Sequence, residues 1–161
     1  MSKTKKIILA LVIVFAAMQV VVMKKRVPET DPTLEYTQSE MVPADIAKMI
    51  KTSCYDCHSY ETHYPWYSNV APVSWLLSSH IKGAREHLNF SLWGEYSSER
   101  KIAMKEDIQE ELKENGMPLK SYLLMHPDAR LSEKEREALI KWFSLQADVL
   151  GHRPSELLSK P

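Results

Sequence analysis

Cysteine is almost missing from this chain: there are two in 161 residues. That excludes a disulfide-stapled scaffold and a four-cysteine zinc site built from two pairs. Glycine is equally scarce, with four in all, and no Asn-Gly or Asp-Gly turn joins two alternating strands. Asn115-Gly116 is the single such dipeptide, and it follows a helical stretch. A sheet built on hairpins is therefore not expected, and a helix-rich fold is. Charge of one sign is absent too, since 21 basic residues balance 21 acidic ones. Nucleic acid is a poor partner for such a chain, because phosphate binding needs a basic surplus on some face. No internal repeat is visible. The composition is that of an ordinary folded protein, and the length suits one domain.

The two cysteines stand together with a histidine in Cys54-Tyr55-Asp56-Cys57-His58, a C-x-x-C-H sequence. That is the attachment signature of a c-type haem. Each thiol adds across one vinyl group of the porphyrin, and the two intervening residues space the sulfurs on one turn of chain. The next residue then aims its imidazole at the iron. A thioredoxin-type dithiol expects a strand before the motif and a helix starting at the first cysteine. Instead, Pro43 is set to open a helix with Ile46, Met49 and Ile50 on one face, running straight into Cys54. One motif implies one covalently attached haem c per chain, with Cys54, Cys57 and His58 binding it.

Ahead of this domain, Lys3, Lys5 and Lys6 precede an apolar run from Ile7 to Val22, interrupted by Gln19. A charged start followed by such a run is the pattern of a signal sequence or a short spanning helix. No small-x-small cleavage site is easily placed. The expectation is an uncleaved transmembrane segment over residues 1–26, with a cleaved signal peptide as the alternative. Lys24, Lys25 and Arg26 roughly balance the N-terminal lysines, so charge leaves the orientation open. Bacterial haem c is attached on the outer face of the inner membrane. The expected location is therefore the inner membrane, single-pass, with the haem domain in the periplasm. Residues 27–42 read as a linker, or as an arm packed on the domain through Leu34 and Tyr36.

The domain itself is expected over 43–150, with a tail at 151–161. After the motif comes an aromatic loop with Tyr60, Tyr64, Trp66 and Tyr67, fit to wall a porphyrin edge or to form core. His63 lies in it. Pro72 opens a second helix to about His87, with Val73, Leu76, Leu77, Ile81 and Ala84 as its apolar face and His80 within it. Phe90 and Trp93 should pack the connector down. Ser97 or Ser98 caps a third helix to about Glu114, with Ile102, Met104, Ile108 and Leu112 inward. Asn115-Gly116 ends it in a left-handed turn. Met117-Pro118 follows at once. A thioether on a stiff loop is a common sixth ligand of haem c, so Met117 is the first candidate and His80 the alternative. Met117 as plain core filler stays open, and Met125 and His126 are weaker candidates. Ser132 and Glu135 form a capping box for a last helix with Ala138, Leu139, Trp142, Leu145 and Val149 on one face. Gly151 and Pro154 mark its end.

Taken together, the chain resembles a monohaem c-type cytochrome, and specifically the small haem-binding domain proteins of Bacteroidetes-type bacteria. The resemblance rests on Cys54-Tyr55-Asp56-Cys57-His58-Ser59, Tyr64-Pro65-Trp66-Tyr67-Ser68-Asn69 and Ala71-Pro72-Val73-Ser74-Trp75. It extends through Leu88-Asn89-Phe90-Ser91, Met117-Pro118-Leu119-Lys120-Ser121-Tyr122 and Leu131-Ser132-Glu133. It implies an all-α, cytochrome c-like domain around one covalent haem, at a membrane-anchored or periplasmic site. The implied role is electron transfer with redox partner proteins of the inner membrane or periplasm, not enzymatic catalysis. The alternative is a haem-based sensor or peroxidase-like protein with an open or histidine-ligated sixth site, with His80 or His63 assisting.

Overall fold

The computed structural model describes residues 2–21, 25 and 27–151, with side chains described as far as 147. Regular structure among them is helical throughout. The α-helices are α1 (Lys3–Met18), α2 (Tyr36–Ser39), α3 (Ala44–Ser53), α4 (Tyr55–His58), α5 (Val73–His87), α6 (Ser98–Lys113), α7 (Lys120–Leu123) and α8 (Glu133–Gly151). Short 3-10 turns occupy Pro32–Leu34, Trp66–Asn69, Phe90–Glu95 and Pro127–Ala129.

The transmembrane segment expected over 1–26 is corrected by α1. No helix among the described residues is long and apolar enough to cross a membrane. Sixteen helical residues span about 24 Å, against roughly 30 Å of hydrocarbon. The physical stop is Gln19, the one break in the apolar run. Its side-chain amide donates to the carbonyls of Phe15 (2.9 Å) and Ala71 (3.2 Å), and its oxygen accepts the Ala71 N–H at 3.0 Å. The chain thus turns onto the start of α5 instead of continuing as helix. Trp75 reinforces the turn by donating its indole N–H to the Val21 carbonyl at 3.0 Å. A single-pass location in the inner membrane loses its basis with that helix. Of the three basic residues after the run, Lys24 and Arg26 lie outside the described residues, as does the tail from 152 onward.

The elements that follow α1 form where local chemistry directs them. Ser97 caps α6 by accepting the Arg100 N–H, and Asn115 ends it in the left-handed region at φ 57°. The Ser132–Glu135 box starts α8: the carboxylate accepts the Ser132 N–H at 2.8 Å while Ser132 Oγ accepts the Glu135 N–H at 3.3 Å. α6 packs along α8, α3 also meets α8, and α4 lies against α5. Ile50, Phe90, Trp93, Leu139 and Phe143 are among the residues closing the core.

Residues 27–42 contribute more than a tether. Tyr36 is completely buried, with its ring edge against Trp93 and its hydroxyl accepting the Trp142 indole N–H at 2.9 Å. Glu35 caps α2 and takes the hydroxyl of Tyr55. The packed-arm alternative describes Pro32–Ser39.

Two apolar faces differ from expectation. On α5 the inward side carries Ser74 and Ile81, whereas Val73, Leu76 and His80 are exposed. The end of α5 is held by the buried Leu88 and by Arg85, whose Nε donates to the Ser59 carbonyl at 2.8 Å. On α8 Leu145 is exposed and Phe143 fills the core; the side chain of Val149 lies outside the described residues. Lys105, not among the inward residues expected on α6, is fully buried between Glu40 (3.6 Å) and the Trp93 ring (5.4 Å).

Candidate functional site

The motif is a corner. Cys54 ends α3, its N–H bonded to the Ile50 carbonyl, and it also precedes α4, whose single turn carries Cys57 and His58. The His58 N–H closes that turn on the Cys54 carbonyl at 2.9 Å. Both intervening side chains are tied elsewhere: Tyr55 donates to Glu35, and Asp56 accepts from Tyr122 at 2.7 Å. Cys54, Cys57 and His58 are each half-buried.

The cysteines are free thiols. Burial pushes Cys54 up to about 12 and Cys57 up to about 11, with the neighbouring Cys57 and Asp56 charges respectively adding to the effect. A redox dithiol needs the opposite, a thiolate favoured by a helix N-terminus or a cation. Among the described residues no group of three or more His, Cys, Asp or Glu side chains is placed to hold a metal ion by itself.

The His58 ring is held in one orientation. Its Nδ1 lies 3.2 Å from the Leu88 carbonyl oxygen. A carbonyl only accepts, so Nδ1 carries the proton and Nε2 keeps its lone pair. Burial lowers the pKa of the ring, opposed in part by hydrogen bonds to the Leu88 and Ala84 backbone, so the neutral form is favoured. Two thiols on one turn with an oriented, neutral imidazole beside them fit a haem c.

A cleft opens beside Cys57, bounded by Pro65, Leu77, Ile81, Tyr67, Tyr122 and His126, with Asp56, Thr62 and His63 at its polar end. His126 stacks on Tyr122 (4.2 Å, 11°), and its Nε2 meets the Tyr67 hydroxyl at 2.8 Å. Met117 is half-buried but does not line this cleft; its carbonyl accepts from Arg136 Nη1 at 3.1 Å, and the same nitrogen holds the Leu112 carbonyl at 3.0 Å. His63 is at the rim with its side chain 92% exposed, His80 is exposed on α5 and does not line the cleft, and Met125 is exposed. Trp66, offered by the sequence as a porphyrin wall, is 74% exposed.

Four contributors were not evident from the sequence: Leu88, Asp56, Tyr122 and Arg136. Asp56 lay inside the motif and Tyr122 inside the Met117 string, but no spacing pairs two residues 66 positions apart.

A family model described as a haem-binding domain matches residues 13–145. No curated protein and no solved structure matches the chain.

Proposed function

The chain belongs to the haem-binding domain family, and on that premise we propose that it is a monohaem c-type protein that transfers single electrons. Cys54 and Cys57 would hold the haem through thioethers, His58 would ligate the iron through Nε2, and Met117 would take the sixth position. A haem so held supplies an iron that cycles between ferrous and ferric states. The observation that carries this reading is the His58–Leu88 hydrogen bond, which fixes the ligating tautomer beside two free thiols.

The chain's own contribution is orientation. Leu88 and α5 aim the imidazole, while Tyr55 and Asp56 anchor the turn on both sides. Arg136 holds the backbone of Met117 and so limits where a thioether can reach. With His58 and Met117 both holding the iron, the chain would leave no place on it for a substrate, and redox partner proteins would be the natural reactants.

One observation favours a second reading, a haem sensor or peroxidase-like protein. His126 and Tyr67, not Met117, line the cleft beside Cys57. Ferric spectra of haem-loaded protein decide between them. A weak band at the red end that disappears in Met117→Ala supports the carrier; immediate binding of carbon monoxide to the ferrous wild type supports the open site.

A further inference from the structure

Thioethers at Cys54 and Cys57, with His58, would hold a haem from one side only. The opposite side depends on a segment that returns 59 positions after His58, and something must hold it there. Asp56 is placed for that task. Its Oδ2 accepts the Tyr122 hydroxyl at 2.7 Å, and its Oδ1 accepts the backbone N–H of His63 at 2.8 Å. Its carbonyl accepts the Thr62 hydroxyl at 2.7 Å. Both carboxylate oxygens are thus committed, one to the loop after the motif and one to α7. Tyr122 in turn stacks on His126, which meets Tyr67. Burial raises the Tyr122 pKa, and the Asp56 carboxylate raises it further, so the phenol remains a donor.

We propose that the Asp56–Tyr122 hydrogen bond is a clasp that holds segment 117–126 against the haem-attachment turn, making both residues positioning residues for the sixth side of the iron. The proposal rests on the haem reading of Cys54, Cys57 and His58. Its chemistry explains an aspartate at a motif position that attachment itself leaves unspecified. A charge-assisted bond from an anchored turn offsets the entropy of closing a long loop without a covalent link.

The test uses haem-loaded protein and two measurements: amide hydrogen exchange over 117–126, and the rate at which added imidazole binds ferric iron, followed by absorption. Tyr122→Phe keeps the ring stacked on His126 and removes one hydroxyl. It should raise both rates about tenfold or more, the factor carried by a hydrogen bond to a charged group. Adding Tyr122→Phe to Asp56→Ala should change neither rate further, and Asp56→Asn, which keeps an oxygen acceptor, should recover most of the protection. Rates within about twofold of wild type in Tyr122→Phe, or effects that simply add in the double variant, would overturn the clasp. Met117→Ala separates the two ideas. If its spectrum is unchanged while Tyr122→Phe loosens 117–126, the clasp stands and the methionine assignment falls. If it loses the red band while Tyr122→Phe leaves both rates alone, the ligand stands and the clasp falls.

Discussion

His58 turns its Nδ1 to the carbonyl of Leu88, 3.2 Å away and 30 positions along the chain. The bond does two things. It chooses the tautomer that leaves Nε2 free to ligate, and it fastens the attachment turn to the end of α5. Under the proposed haem reading, the chemistry at this corner would depend on a backbone oxygen that no side-chain motif reports.

The raised thiol pKa values give the first prediction. In protein made without haem attachment, iodoacetamide should modify Cys57 at mildly alkaline pH on the order of 100-fold more slowly than free cysteine, because only the thiolate attacks. The rate should climb as pH approaches about 11 for Cys57 and about 12 for Cys54. Rapid labelling at neutral pH would point back to an activated dithiol.

Tyr55→Phe tests the other anchor of the turn. Glu35 is 7% exposed and accepts from the Tyr55 hydroxyl as well as from Thr37. Losing one donor to a buried carboxylate should cost about 1–3 kcal/mol in urea denaturation. An unchanged midpoint would show that Thr37 suffices.

Arg136→Leu withdraws the donor shared by the Leu112 and Met117 carbonyls. A stability loss of about 1–3 kcal/mol is expected, since two partly buried acceptors lose a charged partner. Under the carrier reading the ferric red band should weaken as well. A variant as stable as wild type with an intact band would contradict the role given to Arg136.

Acid titration addresses the start of α8. Hydrogen bonds from Ser132 hold the Glu135 carboxyl below its ordinary 4.5. Its contribution is therefore full above 4.5 and is lost as pH falls through the lowered value, because the unfolded chain takes up the proton first. Melting temperatures followed down the acid limb should fall less steeply in Glu135→Gln than in wild type. Parallel limbs would remove the capping box from the acid response.

Much of the fold was legible because its signals are local. Pro43, Ser97, Asn115 and the Ser132–Glu135 pair act within one turn of themselves, and the helices they bound lie where the spacing puts them. The motif was legible for the same reason. What escaped was long-range. Gln19 looked like one polar residue in an apolar run, yet its partners are in Ala71, 52 positions on, and they end α1. Lys105 sits in an alternating charged surface pattern, and its burial depends on Glu40 and Trp93 from two other segments. His80 matched an apolar stripe by periodicity, yet it is exposed, and the buried positions of α5 are Ser74 and Ile81. The same holds at the site: Cys54, Cys57 and His58 come from five adjacent letters, whereas Asp56–Tyr122 and Arg136–Met117 exist only once the chain has folded.

The central claim, that Cys54 and Cys57 carry a haem covalently, is tested most directly by intact mass. The protein would be produced in a host that matures c-type cytochromes, extracted with acidified acetone, and weighed beside a Cys54→Ser/Cys57→Ser variant. The account predicts wild-type protein heavier than its chain by one haem after extraction, and a double variant at the bare chain mass. Wild-type protein that leaves extraction at the bare chain mass, with two alkylatable thiols, would contradict it.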